Sequence, residues 1–240
     1  MTKYTLYKNP HCPYAARAVT AMAETKQEHA VVLIDLSTAR PEWYLKDINP
    51  FGQVPALKIE NDDGTENVVI ESLIVAEFIA DLHPESGLIA KDPLQRAQTR
   101  YLIQHWGNHV QPAMHKAIIT LDPTDSAKFR QLFIIELEKV DALLRKANRY
   151  SDGPFFLGND FTFADLALAS LVFRMFLVPA YQDNEDQVRQ EFEQSLSENQ
   201  NLKRFREWRE ALLDRESVQN ANADKATIKK FFSKFVLKRN

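Results

Sequence analysis

Cys12 is the one cysteine in this chain of 240 residues, and it stands where a thiol can do covalent chemistry. Its surroundings read Asn9-Pro10-His11-Cys12-Pro13-Tyr14-Ala15-Ala16-Arg17, after a short strand pattern (Tyr4, Thr5, Leu6, Tyr7) and before a helix pattern. Proline is favoured at the first helical position, where its missing N–H costs nothing. Cys12 is therefore expected where a strand-to-helix turn becomes a helix, its sulfur near unpaired amides at the positive end of the helix dipole. Such a setting lowers a thiol pKa from ~8.5 toward neutrality. Arg17, one turn on, adds positive charge if its side chain points back. Most lone cysteines are buried small hydrophobes. Cys-Pro at a strand–helix junction favours the reactive reading.

The elements that must hold this thiol are legible around it. Residues 3–7 read as a strand, and residues 13–25 as a helix with Ala16, Val19, Met22 and Ala23 on one face. Residues 29–35, rich in β-branched side chains, read as a buried strand. Strand, helix and strand make a βαβ unit with parallel neighbouring strands. Arg40-Pro41-Glu42-Trp43-Tyr44-Leu45 reads as a short helix begun by proline, and Asn49-Pro50-Phe51-Gly52 as a turn. Residues 53–59 form a strand reached through Val54-Pro55. Residues 61–64 turn a hairpin, 67–71 return antiparallel, and Ser72 caps a helix ending near His83-Pro84.

Four features in this order carry a resemblance: the Cys12-Pro13-Tyr14-Ala15 turn, the Asn49-Pro50-Phe51-Gly52-Gln53-Val54-Pro55 segment, the Glu71-Ser72 pair, and their spacing. The segment resembles the thioredoxin-like domain of cytosolic glutathione transferases. Arg40-Pro41-Glu42-Trp43 is similar to the omega class, with plant-type lambda enzymes sharing the Cys-Pro turn. The resemblance covers the first ninety residues well and the rest more loosely. It implies a thioredoxin-like α/β N-terminal domain (1–84) and an all-α C-terminal domain (92–240), with glutathione as co-substrate and no metal. It also implies site roles. Val54 would pair its backbone with the cysteinyl part of glutathione, and Pro55 would be cis. Glu71 would face the γ-glutamyl ammonium, Ser72 would hold the γ-glutamyl carboxylate at a helix start, and Arg40 would meet the glycyl carboxylate.

A cysteine in place of the serine or tyrosine that other classes use should itself react. With no second cysteine, a dithiol cycle within the chain is impossible, so the expected chemistry is monothiol: thiol transfer, deglutathionylation and dehydroascorbate reduction. Two other readings stay open. One is a conjugating transferase in which Tyr7, near the end of the first strand, activates glutathione. The other is a non-catalytic ligand-binding protein on the same fold.

From Asp92 onward the chain reads as helical. Residues 96–110 show helical spacing, Pro112 interrupts, and residues 127–147 form a long amphipathic helix. Thr162-Phe163-Ala164-Asp165 is a capping box opening a helix, residues 166–178, apolar on nearly all sides and so central. Residues 181–200 read as a polar, acidic insertion, and 202–213 as a further helix. The acceptor pocket is expected between domains, with Tyr14, Arg174 and Trp208 at it by resemblance. Arg174 stands in an apolar helix, where a charge must be paired with an acid or face a cleft. The tail, residues 227–238, has Ile228, Phe231, Phe232 and Phe235 on one face and lysines on the other. It reads as a helix folded back over the cleft, a membrane-lying helix being the rival.

The net charge of -3 gives no electrostatic reason for nucleic acid. A single cysteine excludes an internal disulfide and fits a reducing compartment. No long apolar signal core or membrane span is visible. These features set a cytoplasmic expectation with no membrane or nucleic-acid partner; the family resemblance implies a homodimer.

Overall fold

The structure is a computed structural model that describes residues 2–147 and 152–236. Strand β1 (Lys3–Lys8) leads into helix α1 (Pro13–Thr25) and strand β2 (Ala30–Leu33). Helix α2 (Glu42–Asp47), strands β3 (Ala56–Glu60) and β4 (Glu66–Ile70) and helix α3 (Ser72–Leu82) follow. The sheet order is β2-β1-β3-β4, with β1 and β2 parallel and the other pairs antiparallel. Strand periodicity sends alternate side chains to opposite faces. Leu6 and Leu57 join the large core with α1 and α3, whereas Tyr7 and Ala56 join a smaller cluster with Tyr44 of α2.

Two local expectations change here. β2 is an edge strand, and Val31 and Leu33 are exposed rather than buried. An apolar run alone does not tell which faces of a strand are covered. Ser72 is the first residue of α3 rather than its cap; the cap position belongs to Glu71, and no side chain caps it.

The rest of the described chain is helical. Helices α4 (Pro93–His105) and α5 (Gln111–Ile119) are joined by a π turn, Trp106–Val110. Pro112 does not interrupt them. The Gln111 N–H donates to the Trp106 carbonyl, five residues back, and the wider turn accommodates the missing proline donor. The long α6 (Pro123–Ala147) covers its expected range, and the capping box at Thr162 and Asp165 is formed; the central α7 (Phe163–Phe173) ends before the expected residue 178, and a 3-10 turn, Arg174–Leu177, follows it.

The stretch read as an acidic insertion contains α8 (Glu185–Glu198). Val188, Phe192 and Leu196 recur every four residues and bury a narrow stripe against the core. Helices α9 (Lys203–Asp214), α10 (Glu216–Ala221) and α11 (Lys225–Val236) complete the fold. The last two residues of the expected tail helix, 237 and 238, lie outside the described residues. Helix α1 packs against α3 on one side and α7 and α10 on the other. The start of α1, where Cys12 lies partly exposed, is in contact with both halves of the fold: the Cys12 thiol reaches the Val54 carbonyl, and the Pro13 carbonyl accepts from the Ser170 hydroxyl of α7. No helix among the described residues is long and apolar enough to cross a membrane.

Candidate active site

The turn after β1 is built by Asn9. Its side-chain amide donates to the Ile34 carbonyl (2.8 Å), its side-chain oxygen accepts from the His11 N–H (2.9 Å), and its carbonyl accepts from the Cys12 N–H (3.1 Å). Asn9 thereby ties the turn to β2 and leaves Cys12 at the N-cap of α1 with Pro13 next. The thiol donates to the Val54 carbonyl at 3.7 Å. Burial pushes the Cys12 thiol above its ordinary value; the amides of Ala15 and Tyr14 and the cations Arg174 and Arg17 pull it back only in part. This corrects the expectation of a lowered pKa. The helix-start amides are present, but desolvation of the thiolate outweighs them.

The sign has a kinetic consequence. Thiolate is the reactive form, so alkylation of Cys12 by iodoacetamide should rise with pH through a midpoint above that of the same cysteine in unfolded protein. Arg174→Met should move the midpoint further up. A midpoint below the unfolded value would show that the amides win.

One cavity of about 680 Å³ opens beside the thiol, lined by Cys12, Arg40, Val54, Pro55, Glu71 and Ser72 among others. All the residues expected to hold glutathione therefore meet in one place. The Val54–Pro55 peptide is cis. Glu71 has φ +71°, a left-handed conformation that non-glycine residues rarely adopt and that clusters at functional sites. Gly52 (φ +65°) lets the chain pass Arg40; a Cβ there would lie 2.9 Å from Arg40 Cγ.

Arg40 is more than a free charge. It donates to the carbonyls of Gly52 (2.8 Å), Asp35 (2.7 Å), Thr38 and, more weakly, Leu36 (3.5 Å). A guanidinium has five N–H groups, so these bonds leave Nη2 with donor capacity toward the cavity. Ser72 Oγ accepts from Arg17 Nη1 (3.0 Å), and Arg17 Nε donates to the Ala167 carbonyl of α7 (2.7 Å). Arg17 is buried, which lowers its pKa to about 10, and it joins the first helix, Ser72 and the helical half.

A second cavity of about 390 Å³ lies on the other side of Cys12. Cys12, Tyr14 and Leu36 border both. Its walls include Leu171, Arg174 and, from α11, Phe231, Phe232 and Phe235. The tail helix thus folds back over the cleft. Tyr14 is partly exposed, and its hydroxyl accepts from Gln111 Nε2. Arg174 is 2% exposed and donates from Nη2 to the His11 carbonyl (3.2 Å).

The family model of the glutathione S-transferase N-terminal domain matches residues 11–82, and that of the C-terminal domain matches residues 127–211. Together they span well over half of the chain. The chain belongs to the glutathione S-transferase family. The transferase is similar over nearly its whole length to the crystal structure of glutathione transferase Omega 1C from Trametes versicolor. The TM-score is 0.80 and the identity 29%, covering 99% of this chain and 98% of that one. It is 27% identical over 172 residues to a probable maleylacetoacetate isomerase of Caenorhabditis elegans, covering 70% of this chain and 75% of that protein. It is 29% identical over 136 residues to glutathione S-transferase omega-1 of Mus musculus, covering 57% and 54% respectively. The match thus spans about half the length of that omega relative. Omega-class transferases are thus among the proteins it is similar to, and the family's chemistry is glutathione-dependent.

One expected site residue of the transferase, Trp208, and the rival activator, Tyr7, lie elsewhere. Trp208 is fully buried, borders neither cavity, and donates from Nε1 to Asp165 Oδ1 (2.7 Å). Its indole adds a donor from α9 to the capping carboxylate and packs in the core against Trp106 and Phe205. Tyr7 is also buried away from both cavities, beside Tyr44 and Trp43, and burial raises its hydroxyl pKa. It is not placed to activate glutathione. Sequence reasoning missed the link from Arg17 to Ser72 and Ala167, and it missed His11 at the second cavity. His11 was visible beside Cys12; the partner of Arg17, 150 positions away in sequence, was not.

Proposed function

We propose that this transferase is a monothiol, glutathione-dependent thiol transferase in which Cys12 forms a mixed disulfide with glutathione. The observation that carries this is the position of Cys12: its sulfur stands at the border of a polar cavity with the means to hold a charged tripeptide and an apolar cavity. Glutathione lies in the polar cavity. Val54 pairs with its cysteinyl backbone beside Pro55, and Ser72 at the start of α3 takes the γ-glutamyl carboxylate. Glu71 takes the ammonium, and the spare Nη2 N–H of Arg40 takes the glycyl carboxylate.

The Cys12 thiolate attacks the glutathione sulfur of a mixed disulfide. The S–S bond breaks, the acceptor leaves as thiolate, and Cys12 becomes glutathionylated. The thiolate of a second glutathione then attacks the glutathione sulfur on Cys12, releasing glutathione disulfide and the Cys12 thiolate. A raised thiol pKa is compatible with this cycle. A tenfold smaller thiolate fraction is offset by roughly threefold greater reactivity of each thiolate. Deglutathionylation is the same exchange with a protein thiol as leaving group; dehydroascorbate reduction is a further activity, in which two glutathione thiols supply the two electrons and two protons and leave as glutathione disulfide. The reading includes a cytoplasmic homodimer.

The test compares two activities of the purified chain. Glutathione-dependent reduction of hydroxyethyl disulfide should exceed conjugation of glutathione to an aryl chloride by at least about a hundredfold in kcat/KM, because a cysteine stands where other classes place the hydroxyl that activates glutathione's own thiol. Efficient conjugation with negligible disulfide reduction would reverse the assignment.

A further inference from the structure

The second cavity is walled mostly by hydrocarbon, yet polar groups reach it with nothing to bond. Arg174 is 2% exposed, and its Nε and Nη1 have no hydrogen-bond partner among the described residues; only Nη2 is used, on the His11 carbonyl. His11 also lines the cavity. Its ring stacks on Phe231 with centroids 4.8 Å apart, and its Nδ1 is buried without a partner. No ion pair joins Arg174 to a carboxylate among the described residues, so the acid that an apolar helix would need for its arginine is not supplied by the fold.

A buried guanidinium with unused donors is costly, and a ligand anion relieves that cost. Burial lowers the His11 pKa, and Arg174 lowers it further, so His11 is neutral near pH 7 and Arg174 is the single cation of the pair. The space around them, with Leu171, Leu177, Ile118 and Phe235 on its walls, is large enough for a ring.

We propose that the acceptor carries one carboxylate on an apolar, ring-sized body, held by Arg174 and His11 while the glutathione sulfur bonded to it faces Cys12. This rests on the thiol-transfer reading above and names the substrate class for it. The reaction is the same exchange. Cys12 thiolate and the mixed disulfide of glutathione with an aromatic thiol acid give glutathionylated Cys12 and the free thiolate of that acid. Glutathione then regenerates Cys12 as glutathione disulfide forms.

The experiment uses the full chain and two substrates, the mixed disulfides of glutathione with 4-mercaptobenzoate and with its methyl ester. Each rate is divided by the uncatalysed rate with glutathione. The native chain should prefer the acid by about 10- to 100-fold in kcat/KM, the range for hydrogen bonds to a charged group. Arg174→Met should reduce that preference to below about threefold, and Arg174→Lys should keep part of it. Taking the ratio cancels any effect of the arginine charge on the Cys12 sulfur. Equal rates in the native chain, or an unchanged preference in Arg174→Met, would overturn the proposal. If Arg174→Met does not fold, Arg174→Lys decides by the same ratio.

Failure of the thiol-transfer reading would look different: neither disulfide would turn over above background. Calorimetry of Cys12→Ala with 4-(methylthio)benzoate and its methyl ester then decides alone. Tighter binding of the acid supports the carboxylate site, and equal binding removes it.

Discussion

Cys12→Ala will lose thiol transfer by roughly a thousandfold or more in kcat, while its affinity for glutathione stays within about threefold of the native chain. The split follows from the division of labour around the sulfur. The groups proposed to hold the tripeptide are Arg40, Val54, Glu71 and Ser72; of these only Val54 bonds to Cys12, through the long 3.7 Å contact of the thiol with its carbonyl. Arg40 is fixed by the carbonyls of Gly52 and Asp35, and Ser72 by Arg17. Removing one sulfur removes the covalent step and leaves the cradle. Stopped-flow or coupled turnover gives the first quantity, and calorimetry with glutathione gives the second. Residual thiol transfer within tenfold of native would mean that another group handles the sulfur.

Asp165→Ala will destabilise the fold by about 3–5 kcal/mol, with a fall in Tm of roughly 10 °C. Asp165 is fully buried and accepts four hydrogen bonds. One oxygen takes the Phe156 N–H (2.9 Å) and Trp208 Nε1 (2.7 Å). The other takes the N–H and the hydroxyl of Thr162, both at 2.9 Å. Alanine would leave these buried donors facing hydrocarbon. Asp165→Asn should cost less, about 1–3 kcal/mol. Its amide nitrogen can donate to the Thr162 hydroxyl but then opposes the Thr162 N–H. Urea denaturation followed by tryptophan fluorescence measures both. Losses under about 0.5 kcal/mol in both variants would mean that the network contributes nothing net.

The parts of the site that short motifs encode were legible in the sequence. Cys-Pro after a strand marks a helix start, and the structure has Cys12 at the N-cap with Pro13 following. Asn49-Pro50-Phe51-Gly52 encodes a turn, and Val54 and Pro55 come out of it beside the thiol. The capping box was legible because both of its members lie within four residues.

What failed depended on partners distant in sequence. Helical spacing shows that Trp208 belongs to the apolar face of α9, but not that this face meets the core rather than the cleft. For Arg174, sequence left a paired acid and a cleft as alternatives; the structure puts the guanidinium at a cavity wall. The thiol pKa was misjudged for a similar reason. Amides at a helix start are implied by local sequence, whereas the burial that outweighs them comes from the packing of both halves around α1. The helix within residues 181–200 was missed because three apolar residues spaced by four are easily lost among many acids.

The most direct measurement of the central claim is intact-mass analysis, with peptide mapping, of the chain mixed with one equivalent of a glutathione mixed disulfide and no free glutathione. The account predicts release of one equivalent of acceptor thiol and a single glutathionyl group on Cys12, removed when glutathione is added. An unmodified chain that nevertheless turns over the disulfide once glutathione is present would contradict it.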